Sequence, residues 1–152
     1  MARWFSRLLY RLDTFRLRLT RPISAGARVI LVCDGKVMLV HHTYMSQWYL
    51  PGGAAHRHET LEEAARREAY DEVGSEMHKL ELLGVYSNFA LHRSDHVAVF
   101  ICDDFRMKDS PGAKIDSAAF YAADDLPADT SPGTRRRIDE WRAGQRGLAA
   151  RW

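Results

Sequence analysis

GAAHRHETLEEAARREAYDEVGS, residues 53–75, carries three carboxylates, Glu68, Asp71 and Glu72, within five residues of a helical stretch that follows a glycine turn. At about 100° per residue, Glu68 and Glu72 fall inside the arc that holds Leu61, Ala64 and Ala65, so they face the protein. Glu63, Arg66, Arg67 and Tyr70 occupy the opposite arc. Unpaired buried charges cost several kcal/mol each, so two acids beside an apolar stripe call for a compensating positive charge, most simply a divalent cation. A solvated acidic helix, ion-paired through Arg66 and Arg67, is the competing reading, and the wheel counts against it.

Local chemistry bounds the helix at 60–73. Thr60 can cap the first turn, Glu63 completes a capping box, and Gly74 supplies a left-handed stop. Glu68 and Glu72 are spaced i,i+4 and Glu68 and Asp71 i,i+3, so the three acids can reach toward one point. Oxygen ligands of this kind suit Mg²⁺ or Mn²⁺ rather than zinc.

The stretch resembles the Nudix box, G-x5-E-x7-R-E-U-x-E-E-x-G-U with U aliphatic, at Gly53, Glu59, Arg67, Glu68, Asp71, Glu72 and Gly74. Asp71 stands where the pattern has Glu and is shorter by one methylene, roughly 1.5 Å of reach. Ser75 stands where the pattern has an aliphatic residue, and His58 where a glycine is frequent. Trp48, Leu50, Pro51, Gly52 and Gly53 resemble the family's W-x-L-P-G-G lead-in, and Phe120 to Pro127 its late strand and leucine-proline turn. The resemblance covers about 130 residues, from roughly 24 to the end.

The resemblance implies a fold of the α/β class, a Nudix-like α/β/α sandwich with a mixed β-sheet. It implies a Mg²⁺- or Mn²⁺-dependent hydrolase that splits a diphosphate linkage in a nucleoside diphosphate joined to another moiety. Glu68 and Glu72 are then the main metal ligands, Asp71 an auxiliary one and the Gly53 carbonyl a further one. Glu68 is also a candidate base, while Arg67 and Glu59 form a supporting pair that holds the loop and orients the metal-site carboxylates. A proline about 16 residues past the box, frequent in the ADP-ribose-cleaving subgroup, is missing here, which weakens that substrate assignment.

Composition agrees with one compact enzyme: 152 residues with 46% hydrophobic content can bury one core but hardly two. Cys33 and Cys102 lie in strand-like runs without CxxC spacing and read as reduced core thiols of a cytoplasmic protein. Ala27 to Cys33 and Val37 to His41 flank the turn dipeptide Asp34-Gly35 and predict a hairpin. Gln47 to Leu50, Lys79 to Phe89, His96 to Cys102 and Ala119 to Ala122 read as further strands, and Pro132 to Ala143 as a closing helix.

Charge is uneven. Residues 1–22 and 134–152 together carry twelve arginines against three acids, leaving ten basic and seventeen acidic residues between them. Residues 1–22 form a separate basic amphipathic segment ahead of a single domain at 23–152. Phe5, Leu8, Leu9, Leu12, Phe15 and Leu19 fall within about 120° of arc, with Arg3, Arg7, Arg11, Arg18 and Arg21 opposite, Arg16 alone breaking the apolar face and Pro22 ending the pattern. The first reading is that this face packs on the domain or on a second subunit of a homodimer. The second is peripheral contact with an anionic membrane surface. The spaced arginines exclude a spanning helix, and nucleic acid is the least favoured partner.

His41, His42, His56, His58, His92 and His96 surround the loop and later strand, where hydrogen-bonding roles outweigh catalytic ones. Arg28 shares a strand face with Ile30 and Val32, and can meet a substrate phosphate or an acid of the helix. Tyr44 and Trp48 can stack on a base or fill core volume. The alternative to an enzyme is a non-catalytic nucleotide-binding module that acts through its arginine-rich ends.

Overall fold

The computed structural model describes residues 23–90, 93–108 and 115–152. The expected amphipathic helix at 1–22 and His92 lie outside the described residues. Eight strands and two helices follow in the order β1 (Ile23–Cys33), β2 (Lys36–His42), β3 (Trp48–Tyr49), β4 (Gly52–Ala54), α1 (Leu61–Val73), β5 (Ser75–Asn88), β6 (Ser94–Met107), β7 (Ile115–Ala122), α2 (Pro132–Arg142) and β8 (Leu148–Arg151). The sheet order is β3-β2-β1-β6-β5-β8, with β4 on β1 and β7 on β2. The sheet is mixed, as expected: β1–β6 and β5–β8 are parallel and the remaining pairs antiparallel.

Burial on both faces explains the central strand. Val29, Ile30 and Leu31 are consecutive and fully buried, the pattern of a strand covered on both sides. On one face Ala27, Val29, Leu31, Ala98 and Phe100 pack against Ala64, Ala65 and Ala69 of α1. On the other, Ile30, Leu39, Leu83 and Val99 pack with Ile138 and Trp141 of α2. Alanine on the inner face of α1 lets that helix lie close to the sheet, which keeps the acids of the same helix near the strand ends.

The Asp34-Gly35 hairpin forms, with both turn residues at positive φ. Several outcomes differ from the sequence reading: β1, β6 and β7 extend beyond their expected bounds. Strand β5 starts at Ser75, immediately after the left-handed Gly74, rather than at Lys79, because β6 runs on to Met107 and supplies a pairing edge. Strands β4 and β8 are additional; Gly52-Gly53 carries no side-chain pattern, and Leu148–Arg151 pairs at the sheet edge. Cys102 is a buried thiol, but Cys33 is exposed at the hairpin mouth and is no core thiol; both are free. Burial pushes the Cys102 thiol pKa up.

Trp48 serves the core. Its ring packs edge-on against Tyr121 at 5.1 Å and His41 at 5.4 Å. Ser75 is 1% exposed, and its hydroxyl has no hydrogen-bond partner among the described residues. A buried hydroxyl without a partner costs about 1–3 kcal/mol. Ser75→Ala is therefore expected to stabilise the fold by about 1 kcal/mol, read as a higher urea midpoint at unchanged slope; a lower midpoint would refute it.

Candidate active site

Helix α1 begins where its caps place it. The Thr60 hydroxyl accepts from the Glu63 N–H at 3.1 Å, and the Glu63 carboxylate accepts from the Thr60 N–H at 2.8 Å. Gly74 closes the helix at φ 70°, and its N–H donates to the Tyr70 carbonyl at 2.9 Å. On the outer surface Glu62 and Arg66 form the i,i+4 ion pair at 2.8 Å, while Arg66 also reaches the Met77 carbonyl and ties α1 to β5.

The glycine turn brings the acids to the sheet. Gly52 sits at φ 138°, and a side chain there would collide with the backbone of Ala27 and Arg28. Its N–H donates to the Glu72 carboxylate at 2.9 Å. Glu68 lies against Gly53: a Cβ at that position would stand 2.6 Å from the Glu68 carboxyl carbon. The Gly53 carbonyl oxygen lies against Gly26 of β1. Glu72 is buried and Glu68 half-buried beside this turn, whereas Asp71 is exposed.

Arg67 and Glu59 clamp the loop. The Arg67 Nε and Nη2 donate to the two Glu59 oxygens at 2.7 and 2.9 Å. Nη1 donates to Glu68 and Nη2 also to the Ala54 carbonyl at 3.0 Å. The wheel puts Arg67 on the outer arc, yet its long side chain folds back to join Glu59 and Glu68. The Glu59 oxygen further accepts from the His56 N–H at 2.8 Å. The Arg67 hydrogen bond, helped by the His56 N–H, holds the Glu59 carboxyl down to about 2.

A lowered folded-state value means that Glu59 stabilises the fold above the ordinary carboxylate range near 4.5 and loses that contribution as pH falls through about 2. The stability difference between the native chain and Glu59→Gln is therefore expected to be constant above the ordinary range and to shrink between that range and about pH 2. Urea unfolding of both proteins across the acid range measures it, and a gap that widens on acidification would contradict the clamp.

Arg28 takes a role the sequence reading lacked. Its Nη1 donates to the carbonyls of Leu50 at 3.0 Å and Gly52 at 2.6 Å, so it staples the glycine turn to β1 in place of the ion pair with a helix acid. His42, at the end of β2, is buried with Nε2 3.7 Å from a Glu72 oxygen. Neither periodicity nor motif marks His42 as a partner of Glu72; the contact depends on how β2 packs beside α1. The Tyr44 ring lies 5.3 Å from that of His42.

The donors at the turn are oxygen atoms, and the glycine at 53 leaves the room that a side chain would fill. This set fits a hard divalent cation. No three His, Cys, Asp or Glu side chains among the described residues converge as a metal cage. Two carboxylates suffice for Mg²⁺, which takes its remaining ligands from water and substrate phosphates.

Comparison with known proteins agrees with this architecture. A curated ADP-ribose pyrophosphatase of Methanocaldococcus jannaschii is 29% identical over 130 residues, 82% of this chain and 77% of that protein. A MutT-like protein of Streptomyces ambofaciens is 36% identical over 62 residues, 41% of this chain and 40% of its own. The crystal structure of a MutT Nudix hydrolase from Burkholderia pseudomallei matches with a TM-score of 0.69 at 24% identity, over 77% of this chain and 96% of that one. A mutator MutT protein from Bacillus halodurans matches with a TM-score of 0.70 at 20% identity, over 83% and 86%. The family model for the NUDIX domain matches residues 22–141. With most of its length so matched, the chain belongs to the NUDIX domain family, the Nudix hydrolases.

Proposed function

We propose that this Nudix hydrolase splits the diphosphate of a nucleoside diphosphate linked to another moiety, with Mg²⁺ or Mn²⁺ as cofactor, in the cytoplasm. The observation that carries the reading is the Glu68–Glu72 pair beside Gly52 and Gly53, with Glu72 anchored by the Gly52 N–H and Glu68 by Arg67. Glu68 and Glu72 would hold the cation, with Asp71 as the auxiliary oxygen donor at the solvent side and the Gly53 carbonyl as a further ligand. When bound, such a cation supplies charge neutralisation at the diphosphate and acidifies water.

The chain's own residues do the positioning. Arg67 and Glu59 fix the loop, Arg28 fixes the glycine turn, and the Gly52 N–H aims Glu72. Glu68 is the group assigned to take the proton of the attacking water. The ADP-ribose pyrophosphatase and MutT-like relatives support pyrophosphate hydrolysis as the reaction class and leave the group attached to the diphosphate open.

A panel of nucleoside diphosphate derivatives, assayed with Mg²⁺ or Mn²⁺, tests the reading. Metal-dependent release of phosphate products from at least one compound is expected; none from any compound would sink it. Within the same panel Gly53→Ala is expected to lose about 100-fold in kcat, because the new methyl must displace the Glu68 carboxylate and a shift near 1 Å has an effect of that order. Activity of Gly53→Ala within threefold of the native enzyme would show that Glu68 works elsewhere.

A further inference from the structure

The α1 side of the sheet is only partly roofed. Ile23 pairs with Ser94, and Asn88 pairs with Asp95, so Phe89 follows into the row of Ile23 and Ser94. Two rows further, Ala27, Ala98 and Val85 stand in line, and Phe100 pairs with Leu82. Alternation along a strand puts these positions on one face, the face that α1 covers. Ala27, Ala98 and Phe100 are buried there, but Val85 is 39% exposed, Leu82 44%, Phe89 55% and Ile23 80%. Helix α1 thus covers β1, β6 and the start of β5, where Met77 and Leu80 join its core, and leaves this face of β5 from Leu82 onward uncovered. The Arg151 guanidinium, 5.5 Å over the Phe89 ring, is a charged group at the edge of this strip.

We propose that residues 1–22 dock on this strip, laying Phe5, Leu8, Leu9, Leu12, Phe15 and Leu19 over Ile23, Leu82, Val85 and Phe89. Three observations select this occupant. The chain preceding β1 enters the strip directly, since Ile23 is both the first residue of β1 and the most exposed apolar member of the patch. Reach is ample: strands about 4.8 Å apart put β5 about 10 Å from β1, and twenty helical residues extend about 30 Å. The match in kind is close, because the segment has one apolar stripe, broken by Arg16, with its other arginines opposite, and the strip offers apolar surface with no acid among its four members. Exposed apolar side chains gathered on one face of a folded chain, here with the Ser87–His96 hydrogen-bonded pair between Phe89 and Val85, mark a contact surface. The docked segment would border the active site, since the Ala25 carbonyl accepts from the Ala55 N–H at 2.9 Å and so joins the start of β1 to the site loop. The proposal does not depend on the chemistry at Glu68 and Glu72.

Trypsin cleavage of the full chain within residues 1–22, where five of the six arginines offer sites and Arg21 precedes a proline, provides the test. In the native chain these sites should be protected. Leu82→Asp/Val85→Asp, and separately Leu8→Asp/Leu12→Asp, should each speed cleavage by about tenfold or more, since proteolysis follows the population of the released state. The two variants alter opposite sides of one contact, so a folding defect in either leaves the other to decide. Equal cleavage in native and variant chains would overturn the proposal. So would protection that appears only at concentrations where sedimentation shows a dimer, or only on adding phosphatidylglycerol vesicles, which would assign the strip or the segment to a second copy or to a lipid surface.

Discussion

Glu72→Gln is expected to lower turnover of a diphosphate substrate roughly a thousandfold, the effect of losing several kcal/mol of charge stabilisation. The substitution is nearly isosteric. Its amide oxygen can still accept the Gly52 N–H, the hydrogen bond that orients the side chain at 2.9 Å. What disappears is one negative charge at a buried position beside the glycine turn. Binding of Mg²⁺ or Mn²⁺ should weaken in parallel, read as a higher metal concentration for half-maximal activity. The unfolding temperature should change little or rise, because a buried charge is removed while its hydrogen bond is kept. Turnover within threefold of the native enzyme, at saturating metal, would mean that Glu72 is a structural acid and that the reacting centre lies elsewhere.

The largest stability effect is expected on the opposite face. Arg137 of α2 is 2% exposed and donates to both oxygens of Glu140, at 2.7 and 2.6 Å. Its guanidinium also lies 3.8 Å over the Tyr86 ring and donates to the Arg151 carbonyl at 3.3 Å, while the Tyr86 hydroxyl donates to Glu140 at 2.8 Å. Burial, reinforced by Glu140, pushes the Tyr86 hydroxyl pKa up. Arg137→Met leaves Glu140 without its cationic partner, with the Tyr86 hydroxyl still donating to it. Breaking a buried pair in this way costs about 3 kcal/mol, equivalent to roughly 10 °C in melting temperature for a chain of this size. Removing both charges in Arg137→Met/Glu140→Leu should recover much of the loss, because exchanging a whole buried pair for apolar side chains is close to neutral. Turnover per folded molecule should not change, since α2 lies across the sheet from Glu68 and Glu72. A single-variant shift below about 2 °C would show that the network adds little.

These two sites differ in how visible they are along the chain. Thr60, Glu63 and Gly74 bound α1 through contacts within a few residues, and the helix forms between them. The apolar runs on either side of the Asp34-Gly35 turn likewise predict β1 and β2, because a hairpin is closed by its own turn. The inward direction of Glu68 and Glu72 follows from the same helical period that turns Ala64 and Ala65 toward the core. Arg137 gives no such sign. It stands in a run of three arginines on a polar-looking helix, and its burial becomes apparent only when Tyr86 and β8 arrive from distant parts of the chain.

Sequence alone determined the helix with its caps, the glycine turn and the acids set on the inner arc, since each is a matter of short-range spacing and backbone chemistry. Tertiary structure decided that Arg28 staples the turn through the Leu50 and Gly52 carbonyls, that His42 stands beside Glu72, that Asp71 stays exposed while its neighbour is buried, and that β8 completes the sheet edge. Those outcomes depend on groups 22 to 64 residues apart in the chain, or on which side of one helix turn a strand covers. Nothing in the local alternation of side chains encodes such meetings, because long-range pairing is selected by the burial of the whole sheet.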